Sequence, residues 1–160
     1  MIIRKAEEKD IDQILCLLSQ TSIVHAASRP DLFVGGETKY TGEEIAEMLS
    51  DDDTIIFVAM EEEKMLGYVF CEIRKQPASN VAKDFTYLFI DDFCVDETVR
   101  KNHVGTKLFE YVKEYAKEQD FYEITLNVWE GNDVAKAFYE KLGMNIKKYN
   151  MELILDTMEE

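Results

Sequence analysis

The chain has few of the residues that build metal centres or disulfide frameworks. Its three cysteines, Cys16, Cys71 and Cys94, form no C-x-x-C pair, and its two histidines cannot complete a zinc site with them. An odd, scattered set of thiols suits a reducing compartment, so the expectation is a metal-free cytoplasmic protein. Long apolar runs are also missing. None approaches the roughly 20 residues of a membrane span, and no membrane partner is expected. The start, Met1-Ile2-Ile3-Arg4-Lys5, reads straight into structure and lacks a signal-peptide pattern.

Positive charge is scarce: 18 Lys and Arg stand against 33 Asp and Glu, for a formal net charge of −15. That balance disfavours nucleic acid as a partner. The deficit is uneven, with 9 bases against 21 acids in residues 1–98 but 9 against 8 in residues 99–148. An acidic front half steers cationic substrates towards it, and the same charge also keeps a protein soluble. Glycine-rich nucleotide signatures are absent as well. The chain has neither G-x-x-x-x-G-K-[ST] nor G-x-G-x-x-G.

What is present is the patterning of a single α/β domain spanning residues 1–160, long enough to bury its core without staples. Met1–Ala6 reads as an edge strand. Asp10 is placed to cap a helix with Ile11, Ile14, Leu15 and Leu18 on one face. Ser22–Gly42 looks irregular, broken by Arg29-Pro30 and Gly35-Gly36. A second helix begins at Thr41 or Gly42, with Ile45, Met48 and Leu49 inward. Thr54–Met60 and Met65–Ile73 form a hairpin around Glu61–Lys64. Further strands are expected at Tyr87–Val95 and Glu123–Val128, and at Ile146–Tyr149 with Met151–Leu155. A helix over Ala135–Leu142 ends on Gly143 as a left-handed cap.

The most informative stretch is the strand through Val95, the turn Arg100-Lys101-Asn102-His103-Val104-Gly105-Thr106, and the amphipathic helix that follows. Val104, Leu108, Tyr111, Val112 and Tyr115 mark its apolar stripe. A helix N-terminus offers N–H groups without intrahelical acceptors, and Arg100 and Lys101 add full charges beside them. The predicted ligand is a phosphate or pyrophosphate.

This turn resembles the [QR]-x-x-G-x-[GA] signature of the GNAT superfamily of acetyl-CoA-dependent N-acetyltransferases, with Arg100, Val104 and Gly105 in register. Asn132-Asp133-Val134-Ala135-Lys136-Ala137-Phe138-Tyr139-Glu140-Lys141-Leu142-Gly143-Met144 is similar to that superfamily's N-x-x-A-x-x-F-Y-x-K-x-G-[FM] helix. The resemblance implies a mixed, mostly antiparallel sheet of about seven strands flanked by helices. It implies acetyl-CoA as cosubstrate, a primary amine as acceptor, and direct attack without a covalent enzyme intermediate. It also leaves room for a homodimer. Arg100, Lys101, Asn102, His103, Val104, Gly105 and Thr106 would hold the pyrophosphate, and Phe93, Cys94 and Val95 the pantetheine. Asn132, Ala135 and Phe138 would complete the cofactor site, although a helix cap alone would also explain Asn132. His103 replaces the signature's first glycine, a change tolerated where the local φ is negative.

Amine acetylation sets the remaining requirements. An amine of pKa ~10.4 must lose a proton before it attacks, and the leaving thiolate gains from receiving one. Tyr139 stands where the superfamily places its general-acid tyrosine. Asp91 and Asp92 are the candidate bases, and strand alternation sends them to opposite faces. The resemblance puts Asp91 at the base position, with Asp92 as the alternative. The expected acceptor is a small cationic amine of polyamine or amino-sugar type. A protein N-terminus or lysine, or a non-catalytic acetyl-CoA-binding module, are the alternatives.

Overall fold

A computed structural model describes residues 1–156, with the side chains of residues 100–102 outside the description. The chain divides into two compact units, Met1–Asn127 and a shorter one from Val128 onward. The first unit carries one five-stranded sheet with strands in the order β1-β2-β3-β4-β5. These are β1 (Ile2–Lys5), β2 (Thr54–Glu61), β3 (Lys64–Gln76), β4 (Phe85–Val95) and β5 (Ile124–Leu126). The first four pair antiparallel, and β5 joins β4 in parallel. A parallel partner requires a crossover, and α3 (Val104–Glu118) supplies it.

Helices α1 (Ile11–Ser28) and α2 (Gly42–Leu49) precede β2. The sheet sorts its side chains by strand alternation into two cores. Ile56, Val58, Met60, Tyr68, Phe70 and Cys94 pack with Ile14, Leu17 and Leu18 of α1 and Ile45 of α2. On α3 the buried positions are Val104, Leu108, Phe109, Val112 and Ala116, so three residues of the expected stripe are buried and Phe109 and Ala116 take the places of Tyr111 and Tyr115. Each of the larger of these side chains contributes ~1.5–3 kcal/mol when fully removed from water. Tyr111 and Tyr115 meet the ring of Phe57 edge-on at 5.3 Å instead of entering the core fully.

Local chemistry sets most boundaries. Thr41 caps α2, accepting from the Glu44 N–H at 3.1 Å, while the Glu44 carboxylate accepts from the Thr41 N–H at 2.9 Å. Helix α1 runs on to Ser28, so the irregular segment starts at Arg29, immediately before Pro30, and not at Ser22. Asp10 precedes α1 without capping it. Its carboxylate accepts instead from Arg4 at 2.7 and 3.0 Å and from the Glu7 N–H at 2.8 Å, which ties β1 to the start of the helix. Burial raises the Asp10 pKa, but these donors outweigh it and hold the carboxyl below its ordinary range.

The second unit contains α4 (Asp133–Lys141). The Asn132 side chain caps it, accepting from the Ala135 N–H at 3.2 Å. Gly143 follows at φ +102°, the left-handed cap expected of it. The sheet has five strands where about seven were expected, because Ile146–Tyr149 and Met151–Leu155 form no strand among the described residues. Met151, Leu153 and Leu155 lie largely exposed. An alternating apolar run shows that a segment can line a sheet, but a strand forms only where another strand completes its ladder.

Candidate active site

The ladders on the two sides of β4 end at different places. Its pairing with β3 continues to Gly67↔Val95, whereas its pairing with β5 stops at Ile90↔Leu126. Phe93, Cys94 and Val95 therefore lie beyond the reach of the β5 ladder. Gly67 sets how closely β3 approaches here. A Cβ on it would come within 2.7 Å of the Cys94 carbonyl oxygen and 3.0 Å of Leu108. Cys94 is buried, with its Sγ 3.7 Å from the Leu17 carbonyl oxygen.

After β4 the chain makes a 3-10 turn over Glu97–Asn102 and enters α3 at Val104. The Asp96 carboxylate opens that turn by accepting from the Thr98 N–H at 2.9 Å. His103 joins the turn to the helix at φ 59°, ψ 23°, a left-handed conformation, and its carbonyl accepts from the Lys107 N–H at 3.1 Å. A negative φ was the stated condition for replacing the signature glycine, and the structure does not meet it. Histidine occupies this region more readily than most side chains. Strand, turn and 15-residue helix thus follow one another as expected, with Val104, Gly105 and Thr106 in the first turn of α3. The side chains of Arg100, Lys101 and Asn102, the other residues expected on the pyrophosphate, lie outside the description.

Between Phe70 and Cys71 the β3–β4 register shifts: Phe70 faces Asp92, Cys71 faces Ile90, and Asp91 is the extra residue of a β-bulge. A bulge breaks strict side-chain alternation. The expectation that Asp91 and Asp92 point to opposite faces therefore fails. Both carboxylates meet residues that pack on the α1–α2 side of the sheet.

Asp91 receives a short hydrogen bond from the Tyr40 hydroxyl on its Oδ2. The Lys39 Nζ lies 3.1 Å from its Oδ1 and 3.3 Å from its backbone oxygen. Asp92 is buried, with the Tyr68 hydroxyl 3.3 Å from its Oδ2. The aromatic rings link the two acids. Tyr40 stacks on Phe70 with centroids 5.5 Å apart, and Phe70 meets Tyr68 edge-on at 5.0 Å.

Burial sets the protonation pattern. It pushes the Asp92 carboxyl up to about 6; the Lys39 cation opposes the shift and the Asp91 charge adds to it. Burial also raises the phenols of Tyr40 and Tyr68, and the neighbouring carboxylates push them further. Both tyrosines are therefore hydroxyl donors at neutral pH. The cluster consists of one carboxylate held by a lysine and a phenol, beside one dry carboxyl that titrates at about 6. Such a pair can anchor a cation and exchange a proton.

Lys39, Tyr40 and Tyr68 were not legible as site residues. Lys39 and Tyr40 lie in a segment without periodicity, and Tyr68 reads as an ordinary strand aromatic. His25, in the same irregular region by sequence, lies in α1 with its ring 5.2 Å from Phe33 and its pKa lowered by burial and by Lys39. On α4, Tyr139 and Phe138 form an edge-on pair with centroids 5.1 Å apart, and both are partly buried.

A profile of the acetyltransferase (GNAT) family matches residues 22–144. Among solved structures, a mutant of the BH1408 protein from Bacillus halodurans is 32% identical, superposes with a TM-score of 0.93, and the match covers 97% of this chain and 99% of that one. An aminoglycoside acetyltransferase, meta-AAC0020, from an uncultured soil metagenomic sample and in complex with sisomicin, is 16% identical with a TM-score of 0.70, over 98% of this chain and 96% of that one. The aminoglycoside antibiotic 6'-N-acetyltransferase AAC(6')-IG from Acinetobacter haemolyticus is 15% identical with a TM-score of 0.72, covering 99% and 100%. The last two share the fold. With the ladder divergence at Ile90, the turn into α3 and the family match across most of its length, this chain belongs to the GNAT acetyltransferase family, whose members generally use acetyl-CoA.

Proposed function

We propose that the chain, acting as one domain, transfers an acetyl group from acetyl-CoA to a primary amine of a small cationic acceptor. The observation that carries this reading is the carboxylate pair at the β4 bulge, in which a buried Asp92 titrating at about 6 stands beside Asp91, held by Lys39 and Tyr40. Acetyl-CoA supplies the activated thioester. Val104, Gly105 and Thr106, with Arg100, Lys101, Asn102 and His103, are assigned to its pyrophosphate, and Phe93, Cys94 and Val95 to its pantetheine. Ala135 and Phe138 are assigned to the same cofactor. Phe93, Cys94 and Val95 follow the last β4–β5 pair, Ile90↔Leu126, and lead directly into the turn before α3.

The acceptor arrives as an ammonium and must give up a proton before its nitrogen can attack. Asp92 suits that step. A carboxyl near 6 is mostly ionised at neutral pH yet basic enough to take a proton, directly or through water. Asp91, fixed by Lys39 and Tyr40, suits charge anchoring better than proton exchange. This gives the base role to Asp92 rather than to Asp91, the position the resemblance favoured. Tyr139 is assigned the acid that protonates the leaving sulfur. An ordinary phenol of pKa ~10 is protonated at neutral pH and can donate to a thiolate of ~8.5.

The acidic surface, net charge −15, favours cationic acceptors by steering. The aminoglycoside acetyltransferases among the structural neighbours are consistent with an amino-sugar class. The test is thiol release from acetyl-CoA across a panel of polyamines, aminoglycosides, amino acids and peptides. Turnover with polyamines or amino sugars is expected. Turnover with peptides alone would move the acceptor to a protein, and no turnover with any amine would remove the catalytic reading.

A further inference from the structure

Lys39 makes the contacts that a bound ammonium would make. Its Nζ lies 3.1 Å from a carboxylate oxygen of Asp91, 3.3 Å from the Asp91 backbone oxygen and 5.6 Å from the centre of the Tyr40 ring. An alkylammonium has three N–H donors on one nitrogen and is attracted to the face of an aromatic ring. Two oxygens and a ring therefore make a nearly complete cage for such a group. The cage is built and not incidental. The bulge exposes both the side chain and the carbonyl of Asp91 to one partner, and the Tyr40 hydroxyl fixes the second carboxylate oxygen. Tyr40 is itself held by stacking on Phe70.

The occupant is less firmly held than the cage. The Lys39 side chain is 45% exposed and that of Asp91 15%. Lys39 lies in the connection between α1 and α2, a few residues after Gly36, whose φ is +87°. An exposed ion pair of this kind is worth only ~0.2–1 kcal/mol, so an incoming cation can displace it.

We propose that the Asp91–Tyr40 cage is a subsite for a protonated amine of the acceptor, and that Lys39 fills it in the free protein. The proposal deepens the acyl-transfer reading above by narrowing its substrate class. A nitrogen held by a fixed anion and a ring face stays protonated and cannot attack. The reacting amine must therefore be a second one, placed to lose its proton to Asp92. The acceptor is then at least a diamine, and a monoamine leaves the cage to Lys39.

The experiment uses the full chain without acetyl-CoA, so that it reads the subsite whether or not transfer occurs. Binding of putrescine and of n-butylamine is measured by calorimetry at low salt for the wild type, Lys39→Met and Lys39→Arg. Methionine keeps the stem and removes the charge. Arginine keeps a cation that can occupy the cage. Putrescine should bind Lys39→Met roughly two- to fivefold more tightly than the wild type, as expected for removal of a competing exposed ion pair. Lys39→Arg should resemble the wild type, and n-butylamine, with a single ammonium, should bind Lys39→Met more weakly than putrescine. Putrescine binding to Lys39→Met that is equal to or weaker than binding to the wild type overturns the proposal, as does equal affinity of n-butylamine and putrescine for Lys39→Met, which would leave the second amine without a role. No detectable putrescine binding to either protein also overturns it. Turnover of another acceptor in the thiol-release assay would leave the acyl-transfer reading standing in each case. Tighter putrescine binding without any turnover would instead keep the subsite and remove the reaction.

Discussion

Asp92→Asn should make the protein more stable and less active. In an unfolded chain the Asp92 carboxyl loses its proton near the ordinary 3.8, and in the folded protein near 6. Between those values the folded state binds more protons than the unfolded state, so the contribution of this residue to stability falls as pH rises. The loss begins near pH 4 and is complete once the folded carboxyl is ionised, a unit or so above 6. Its full size is about 3 kcal/mol, from 1.36 kcal/mol per unit of pKa difference. About 2 kcal/mol of it falls between pH 4.5 and 7.5 by the same relation. Asparagine has nearly the same shape, keeps an oxygen for the Tyr68 hydroxyl and has no proton to lose. Urea denaturation of both proteins from pH 4.5 to 7.5 isolates the effect, because contributions from other groups such as Asp10 and Arg4 cancel in the difference. The variant should gain on the wild type by about 2 kcal/mol across that range, while turnover of the best acceptor falls roughly 10²-fold or more, as for loss of a general base. A difference in stability that does not change with pH would refute the buried, raised-pKa carboxyl. Unchanged turnover would remove Asp92 from proton transfer.

Other residues offer independent checks. Tyr139→Phe should lower kcat by roughly 10²-fold with CoA affinity nearly intact; steady-state kinetics and CoA titration test this, and an unchanged kcat would end the role of Tyr139 as the acid. Gly67→Ala forces a Cβ to within 2.7 Å of the Cys94 carbonyl oxygen, where backbone must move. It should destabilise the fold by ~1–3 kcal/mol in chemical denaturation, the usual cost of overpacking. His103→Gly relieves a left-handed φ of 59° and should raise stability by roughly 1 kcal/mol. A loss of stability would show that the imidazole makes compensating contacts.

The parts of this protein that the sequence alone could determine are those set by neighbours a few positions apart. The buried stripe of α3 follows from apolar spacing, the α2 start from Thr41 and Glu44, and the end of α4 from Gly143. The order of strand, turn and helix from β4 into α3 was legible for the same reason, and it carried the family. Asn132 could be narrowed to two roles, and its cap on α4 is the one the structure displays.

What the sequence could not decide depends on register and on long-range approach. Whether Asp91 and Asp92 share a face turns on one extra residue in β4 relative to β3, and nothing within β4 announces that bulge. Lys39 reaches Asp91 across 52 positions, and Tyr68 reaches Asp92 across 24. The apolar alternation of residues 146–155 was visible, but strand pairing belongs to two segments at once, so pattern alone could not make it part of the sheet. Side-chain chemistry is local and can be read along the chain. Which groups share a dry pocket, and so which carboxyl has its pKa moved, is decided only when distant segments pack together.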